Sequence, residues 1–178
     1  MRWFALFMLI LAGSISGCDK KSAPEPVPVA TNSLETTHHY PEKAQGHLQT
    51  VRLWLGSEEL ITEMALTPIQ EETGMMYRTN MPENSAMIFV FEGPFRASFW
   101  MKNTVLPLSA GYIDPDGTLK EIYDLQPQDT NAVVAKEPDI QYVLEVNQGW
   151  FKRHHIEPGT LVRTEFGTLR ETFFNHKR

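Results

Sequence analysis

Apolar and polar positions begin to alternate regularly near Leu48. Val51, Leu53 and Leu55 alternate with polar or amphipathic neighbours, Gly56 and Ser57 supply a turn, and Leu60, Thr62, Met64 and Leu66 alternate again, which predicts two strands joined as a hairpin. Thr67-Pro68 with Glu71, Glu72 and Gly74 sets a cap, an N1 proline, dipole-matched acids and a terminating glycine in order, so a short helix follows. After the turn Met81-Pro82-Glu83-Asn84, Met87, Phe89 and Phe91 mark one strand and Ser98 to Met101 another. A strand ending in Tyr112 and Ile113 meets the β-turn Asp114-Pro115-Asp116-Gly117, and Leu119 to Leu125 forms the next hairpin arm. Gln126 to Asp139 is polar and proline-bounded, a loop. Tyr142 to Val146 is a strand, Asn147 is placed to cap a second helix from Gln148 to about His155, and Pro158-Gly159 turns the chain into a last strand, Leu161 to Phe166. The expected class is mainly β (α+β), a compact, mostly antiparallel β barrel or sandwich with two short helices.

The pattern also divides the chain. Residues 1–17 read as a signal peptide: Arg2 is a positive start, and Trp3 to Ala12 is an apolar run about half as long as a bilayer crossing requires. Ile15-Ser16-Gly17-Cys18 resembles the bacterial lipobox, in which the cysteine thiol accepts a diacylglycerol before cleavage. The alternative is an ordinary signal peptide with an incidental cysteine, but the chain's single cysteine lies at the one position where lipidation would use it. Residues 18–47 are a polar tether broken by Pro24, Pro26, Pro28 and Pro41, with a coil span of about 30 Å. Residues 48–166 form the β-rich domain, and 167–178 are a C-terminal tail. The protein is thus expected in a bacterial cell envelope, lipid-anchored and facing the periplasm or cell surface. Asp19 suggests the inner membrane if the host is enterobacteria-like.

Composition narrows the function. The chain of 178 residues is 42% hydrophobic and 21% charged, with a net charge of −6, so it buries a core and lacks the basic face that nucleic acid needs. Loss of residues 1–17 removes only Arg2, leaving fifteen basic against twenty-two acidic side chains, or −7. The acyl chains alone would then hold the protein on anionic lipid. One cysteine permits neither an internal disulfide nor a CxxC site. There is no GxSxG elbow, HExxH motif or phosphate-binding glycine loop.

Gly74-Met75-Met76-Tyr77-Arg78, Met87-Ile88-Phe89-Val90-Phe91, Phe99-Trp100-Met101-Lys102-Asn103-Thr104 with Pro107-Leu108, Tyr112-Ile113-Asp114 with Gly117, and Tyr142-Val143-Leu144-Glu145-Val146 with Gly149 follow one another along residues 48 to 164. This series resembles the successive blocks of domain-of-unknown-function family 192, small exported or membrane-tethered bacterial and archaeal domains. The resemblance implies a compact, mostly β fold and transfers no reaction. Where that family commonly has an aspartate after the proline-leucine pair, this chain has Ser109.

Candidate site residues come from loop positions beside apolar segments. Arg78, Lys102 and Asn103, with Trp100 as an apolar platform, would make a donor-rich spot for an anionic or sugar-like ligand if they converge. Equally, Arg78 could bond backbone carbonyls after the first helix, and Asn103 with Thr104 could fix a turn. Met75, Met76, Met81, Met87 and Met101 read as core packing beside aromatics, with a Cu(I) thioether site as the competing use. His38 and His39 lie in the tether, where adjacent histidines do not preorganise a metal site. A calcium reading of Asp114-Pro115-Asp116-Gly117 fails because Leu119 and Leu125 fall where glycine and glutamate are required. Asp114, Glu121, Glu137 or Glu145 could meet in space as paired carboxylates. The expected function is a binding or accessory module without cofactor or metal, with a hydrolase of an envelope polymer or a protein-protein scaffold as alternatives.

Overall fold

The computed structural model describes residues 40–175. Cys18, His38 and His39 lie outside the described residues. Ten strands and three short helices are ordered β1 (Thr50–Leu55), β2 (Glu58–Ala65), α1 (Pro68–Thr73), β3 (Ser85–Phe95), β4 (Ser98–Phe99), β5 (Leu108–Ile113), β6 (Leu119–Leu125), β7 (Val133–Val134), β8 (Ile140–Asn147), α2 (Trp150–Arg153), β9 (Val162–Thr164), β10 (Gly167–Thr168) and α3 (Leu169–Phe173). Eight strands form one mixed sheet in the order β10-β9-β1-β2-β3-β8-β5-β6, and β4 pairs with β7 in a separate ribbon.

The β1–β2 hairpin forms as the alternation predicts, with Leu53 opposite Leu60. The β2–β3 pair is parallel, Ile61 beside Ser85 through Ala65 beside Phe89, so an antiparallel hairpin gives way to a crossover here. α1 lies in that crossover. Thr67 Oγ1 accepts the Gln70 amide and Gln70 Oε1 accepts the Thr67 amide, a complete capping box with Pro68 in the first turn. Gly74 ends the helix at φ +44°, with its amide donating to the Gln70 carbonyl. A Cβ there would also sit 3.1 Å from Phe89 Cζ.

The sheet carries apolar side chains on both faces. One core gathers Leu53, Leu60, Ile88, Leu144, Trp150 and Phe151; the other gathers Met87, Phe89, Met101, Tyr112, Ile140 and Val143. β8 lies between β3 and β5 and feeds both, since period-2 alternation sends Leu144 and Val146 one way and Val143 the other. The sheet's two ends approach at one corner, where Thr118 bridges Leu161. The fold is therefore sandwich-like rather than a closed barrel.

Several expectations need correction. Asn147 does not cap α2: its amide nitrogen donates to the carbonyls of Met81 and Pro82, and Gly149 at φ +75° starts the helix instead. The helix is correspondingly shorter, Trp150–Arg153. There are three helices among the described residues, not two. Residues 167–175, assigned to a tail, carry β10 and α3, held by a second capping box between Thr168 and Glu171 and by fully buried Leu169. Residues 167–178 look like a polar tail in the sequence because a single buried leucine leaves no periodicity to detect. The polar loop after Gln126 contains β7, whose two residues pair Ser98↔Val134 and Phe99↔Val133. Residues 40–47 also touch the domain: Gln45 Nε2 donates to the Gln70 and Gly74 carbonyls, and Tyr77 Oη donates to the Pro41 carbonyl.

Candidate functional site

Where α1, the β4–β7 ribbon and the second core meet, the packing leaves a cavity of about 470 Å³. Phe89, Phe91, Phe95, Phe99, Trp100 and Tyr40 wall it, and Ser98, Thr104, Glu71, Glu72 and Glu145 supply its polar groups. The aromatic wall is continuous. Phe99 stands edge-on to Phe89 at 5.0 Å between centroids and to Phe91 at 6.3 Å, and Phe91 is edge-on to Phe95 at 4.6 Å. Tyr40 meets Trp100 at 5.6 Å. Such edge-to-face arrays hold ring orientation, so the wall presents fixed faces.

Glu145 is the unusual member. It comes from the middle of β8, opposite Met87 and Ala110, where alternation would place an apolar side chain. Only 4% of it is exposed, and its Oε2 has no hydrogen-bond partner among the described residues. Burial pushes its carboxyl up to about 8, so it is mostly protonated at neutral pH. Burial, with Glu92 nearby, also raises Glu71. A buried polar atom without a partner costs free energy, and with its raised carboxyl in a cleft this makes Glu145 the candidate functional group of the cavity.

The four residues singled out in the sequence part company. Trp100 lines the cavity. Lys102 lies at its rim, with Nζ 3.3 Å from the Tyr40 ring centroid and 5.3 Å from that of Trp100. Arg78 is committed elsewhere: its guanidinium donates bidentately to Glu63 at 2.6 and 2.8 Å and also reaches the Gly46 carbonyl at 3.4 Å. Burial acts to raise the Glu63 carboxyl, but hydrogen bonds from Arg78, the Leu48 amide and His47 hold it down at about 2. Asn103 takes φ +56° and its carbonyl accepts the amide of Tyr77, itself at φ +61°, so two of the sequence blocks are stitched together by backbone. Its Nδ2 points to Met76 Sδ at 4.0 Å.

The paired-carboxylate candidates separate similarly. Asp114 Oδ1 accepts the amides of Asp116 and Thr118 and so shapes its turn. Glu121 accepts from Tyr123 Oη and from the Lys136 and Glu137 amides, and Glu137 is exposed. Glu145 alone of the four faces the cavity. Its companions are Glu71 and Glu72, which from sequence look like ordinary first-turn acids. Ser109, standing where the resemblance suggested an aspartate, is a bracket: its hydroxyl donates to Asp124 Oδ1 and accepts the Gly149 amide at 2.8 Å. Met75, Met87 and Met101 are buried in the second core. Among the described residues no three His, Cys, Asp or Glu side chains are grouped to hold a metal ion. A second cleft beside Val51, Leu66, Phe166 and Phe173 has one acidic side chain, Glu171, already used in the α3 cap.

Fold and cavity define a small mixed-sheet β domain with an acidic, aromatic-walled recess beneath a short ribbon. The chain belongs to the DUF192 family, described as an uncharacterised ACR, which it matches over residues 52–164. The crystal structure of a candidate transcription regulator from Sinorhizobium meliloti is 35% identical, with 68% of this chain and 98% of that one covered at a TM-score of 0.63. That of a protein of unknown function from Novosphingobium aromaticivorans is 29% identical, with coverage of 85% and 99% and a TM-score of 0.61. No curated protein matches.

Proposed function

We propose that this chain is a ligand-binding module, tethered outside the cytoplasm by a lipid on Cys18, and that its cavity holds a compact ligand that carries no negative charge. The observation that carries the reading is the unpartnered, buried Glu145 Oε2 inside an aromatic-walled space of about 470 Å³. Pockets of that size with apolar walls and a few placed polar groups are the usual form of a small-molecule site. Of the two expected ligand classes, the anionic one is disfavoured: the carboxylates of α1 at the cavity would repel it, an anion would oppose ionisation of Glu145, and no lysine or arginine lines the cavity. Trp100 is proposed as a wall, and Lys102 as a rim residue.

Among the described residues no helix is long and apolar enough to cross a membrane, so attachment in this reading rests on Cys18. Mass spectrometry of the mature N-terminus tests that, with a Cys18→Ala protein that is still processed and membrane-bound as the contrary result. The description of the Sinorhizobium neighbour as a candidate regulator is not carried over, because a net charge of −6 argues against DNA contact, which needs a basic face. For the cavity, calorimetric titration with small amines and sugars is the test. Trp100→Ala should weaken binding about tenfold by removing one wall. Unchanged affinity would place the ligand elsewhere.

A second reading has one observation in its favour. A protonated Glu145 sharing a cavity with Glu71 and Glu72 has the composition of a general acid with a carboxylate partner, as hydrolysis of a sugar polymer would use. Release of reducing ends from cell-wall glycan by the protein, abolished in Glu145→Gln, would favour it over simple binding.

A further inference from the structure

We propose that the cavity is a site for an organic cation, an alkylammonium group enclosed by the aromatic walls with the Glu145 carboxylate as its counter-ion. This rests on the reading of the cavity as a ligand site and names the class of ligand.

Three independent features converge. The first is the sign of the lining. α1 contributes Glu71 and Glu72, β8 contributes Glu145, β3 contributes Phe89 and Phe91, which do not titrate, and the segment before β1 contributes Tyr40. From β5 the group facing Glu145 is Tyr112, whose hydroxyl donates to the Val133 carbonyl at 2.6 Å and which stays protonated at any ordinary pH. Lys102 stands at the mouth, beside the Tyr40 and Trp100 rings. The second is the wall itself. Aromatic faces carry the negative lobes of the ring quadrupole, so rings around a cavity favour a cation over an anion and accept it without hydrogen bonds. Tyr40 and Trp100 already do this for the protein's own ammonium, with Lys102 Nζ at 3.3 and 5.3 Å from their centroids. The third is the vacancy in the hydrogen bonding of Glu145. A buried carboxyl oxygen without a donor is matched by an N–H or by a positive charge, and a metal ion would need further oxygen ligands that the described residues do not group together.

The arrangement makes a linkage that a neutral ligand does not share. With no cation present, burial keeps Glu145 mostly protonated at pH 7. A cation seated beside it favours the carboxylate, so binding expels a proton, close to one per site at pH 7. Lys102 has the opposite influence: its charge at the rim opposes entry of a second cation.

The experiment is isothermal titration of the full-length protein in detergent at pH 7, with butylammonium, tetramethylammonium and glucose as probes, each in two buffers of different ionisation enthalpy. The expected result is binding of the two cations with a buffer-dependent heat that reports proton release. Glu145→Gln, nearly isosteric, should weaken both cations tenfold or more and abolish the buffer dependence, while Lys102→Gln should tighten them. Trp100→Leu, at a partly exposed wall position that belongs to neither buried core, should weaken both cations and leave cooperative unfolding intact. Glucose binding without cation binding would overturn the cation assignment and leave the cavity reading in place. Cation binding without proton release, or with affinity unchanged in Glu145→Gln, would overturn it as well. Failure of all three probes to bind would overturn the cavity reading and the cation assignment together.

Discussion

Replacing Arg78 by alanine separates scaffold from site more sharply than any other change. The guanidinium and Glu63 are both largely buried, with side-chain exposures of 12% and 13%, and are joined at 2.6 and 2.8 Å. Burial alone would raise the Glu63 carboxyl; instead the network of Arg78, the Leu48 amide and His47 lowers it from 4.5 to about 2. At about 1.4 kcal/mol per pH unit, the folded state favours ionised Glu63 by about 3 kcal/mol. Arg78→Ala removes the largest donor and leaves a buried carboxylate held by one amide and an exposed histidine, so a loss of about 3 kcal/mol is expected, or about 10 °C in Tm for a domain of this size. The pH dependence supplies a second readout. A depressed carboxyl contributes stability above pH 4.5 that is lost as the pH falls toward 2, so the parent protein should lose stability through that window. In Arg78→Ala the carboxyl rises, and the window should narrow. Urea unfolding at pH 7 and at intervals from pH 5 to 2 measures both effects. Glu63→Gln combined with Arg78→Ala should recover part of the loss, because no charge is then left stranded. A loss under about 0.5 kcal/mol at pH 7, or an unaltered acid profile, would refute the assignment of Arg78 to structure.

Other expectations follow from single contacts. Gly111→Ala would set a Cβ 2.8 Å from both Leu119 Cδ1 and Phe151 Cζ, so stability should fall by about 1–3 kcal/mol, and an unchanged urea midpoint would show that these side chains yield freely. Glu145, raised to about 8, should impose a penalty that is absent below pH 4.5, grows between pH 4.5 and 8 and is constant above; Glu145→Gln should flatten that part of the stability profile, and a parent profile already flat there would be the contrary result. Deleting residues 1–45 removes Tyr40 and the two bonds from Gln45 but no strand, so the protein should still unfold cooperatively, with stability lower by about 1–2 kcal/mol and a weakened cavity wall. Loss of cooperative unfolding would make the segment before β1 part of the core.

Legibility in the sequence followed the range over which each signal acts. Local signals read cleanly: the alternation of β1 and β2, the Thr67-Pro68 start and Gly74 stop of α1, and the Asp114–Gly117 turn all depend on residues within a few positions of one another. The parallel β2–β3 pairing could not be read, because no local pattern distinguishes a helix-bearing crossover from a link between antiparallel strands when the helix has six residues. Arg78 was misleading for a related reason. Its partner Glu63 lies fifteen residues away on β2, and a sequence shows a cationic donor but not the acid that will neutralise it.

The cavity acids show the same limit from the other side. Glu71 and Glu72 satisfy a local rule so well, as acids in the first turns of a capped helix, that nothing distinguishes them from solvent-facing residues. Glu145 breaks a local rule, standing within Tyr142-Val143-Leu144-Glu145-Val146 at a register that the second core should fill with an apolar side chain. Like Trp100 beside its apolar segment, that violation was a readable signal of the site. An apolar residue there would remove the unpartnered oxygen and its desolvation, and the neighbours Met87 and Ala110 show that the surrounding strands are built for such packing. A position where folding alone would favour leucine or valine but which holds an orphaned carboxyl is where local consistency yields to function. The same reasoning ranks the two glutamates: Glu63 has its counter-ion built in and stabilises the fold, whereas Glu145 is buried with one oxygen unpartnered among the described residues, which is why the proposed cation is placed beside it.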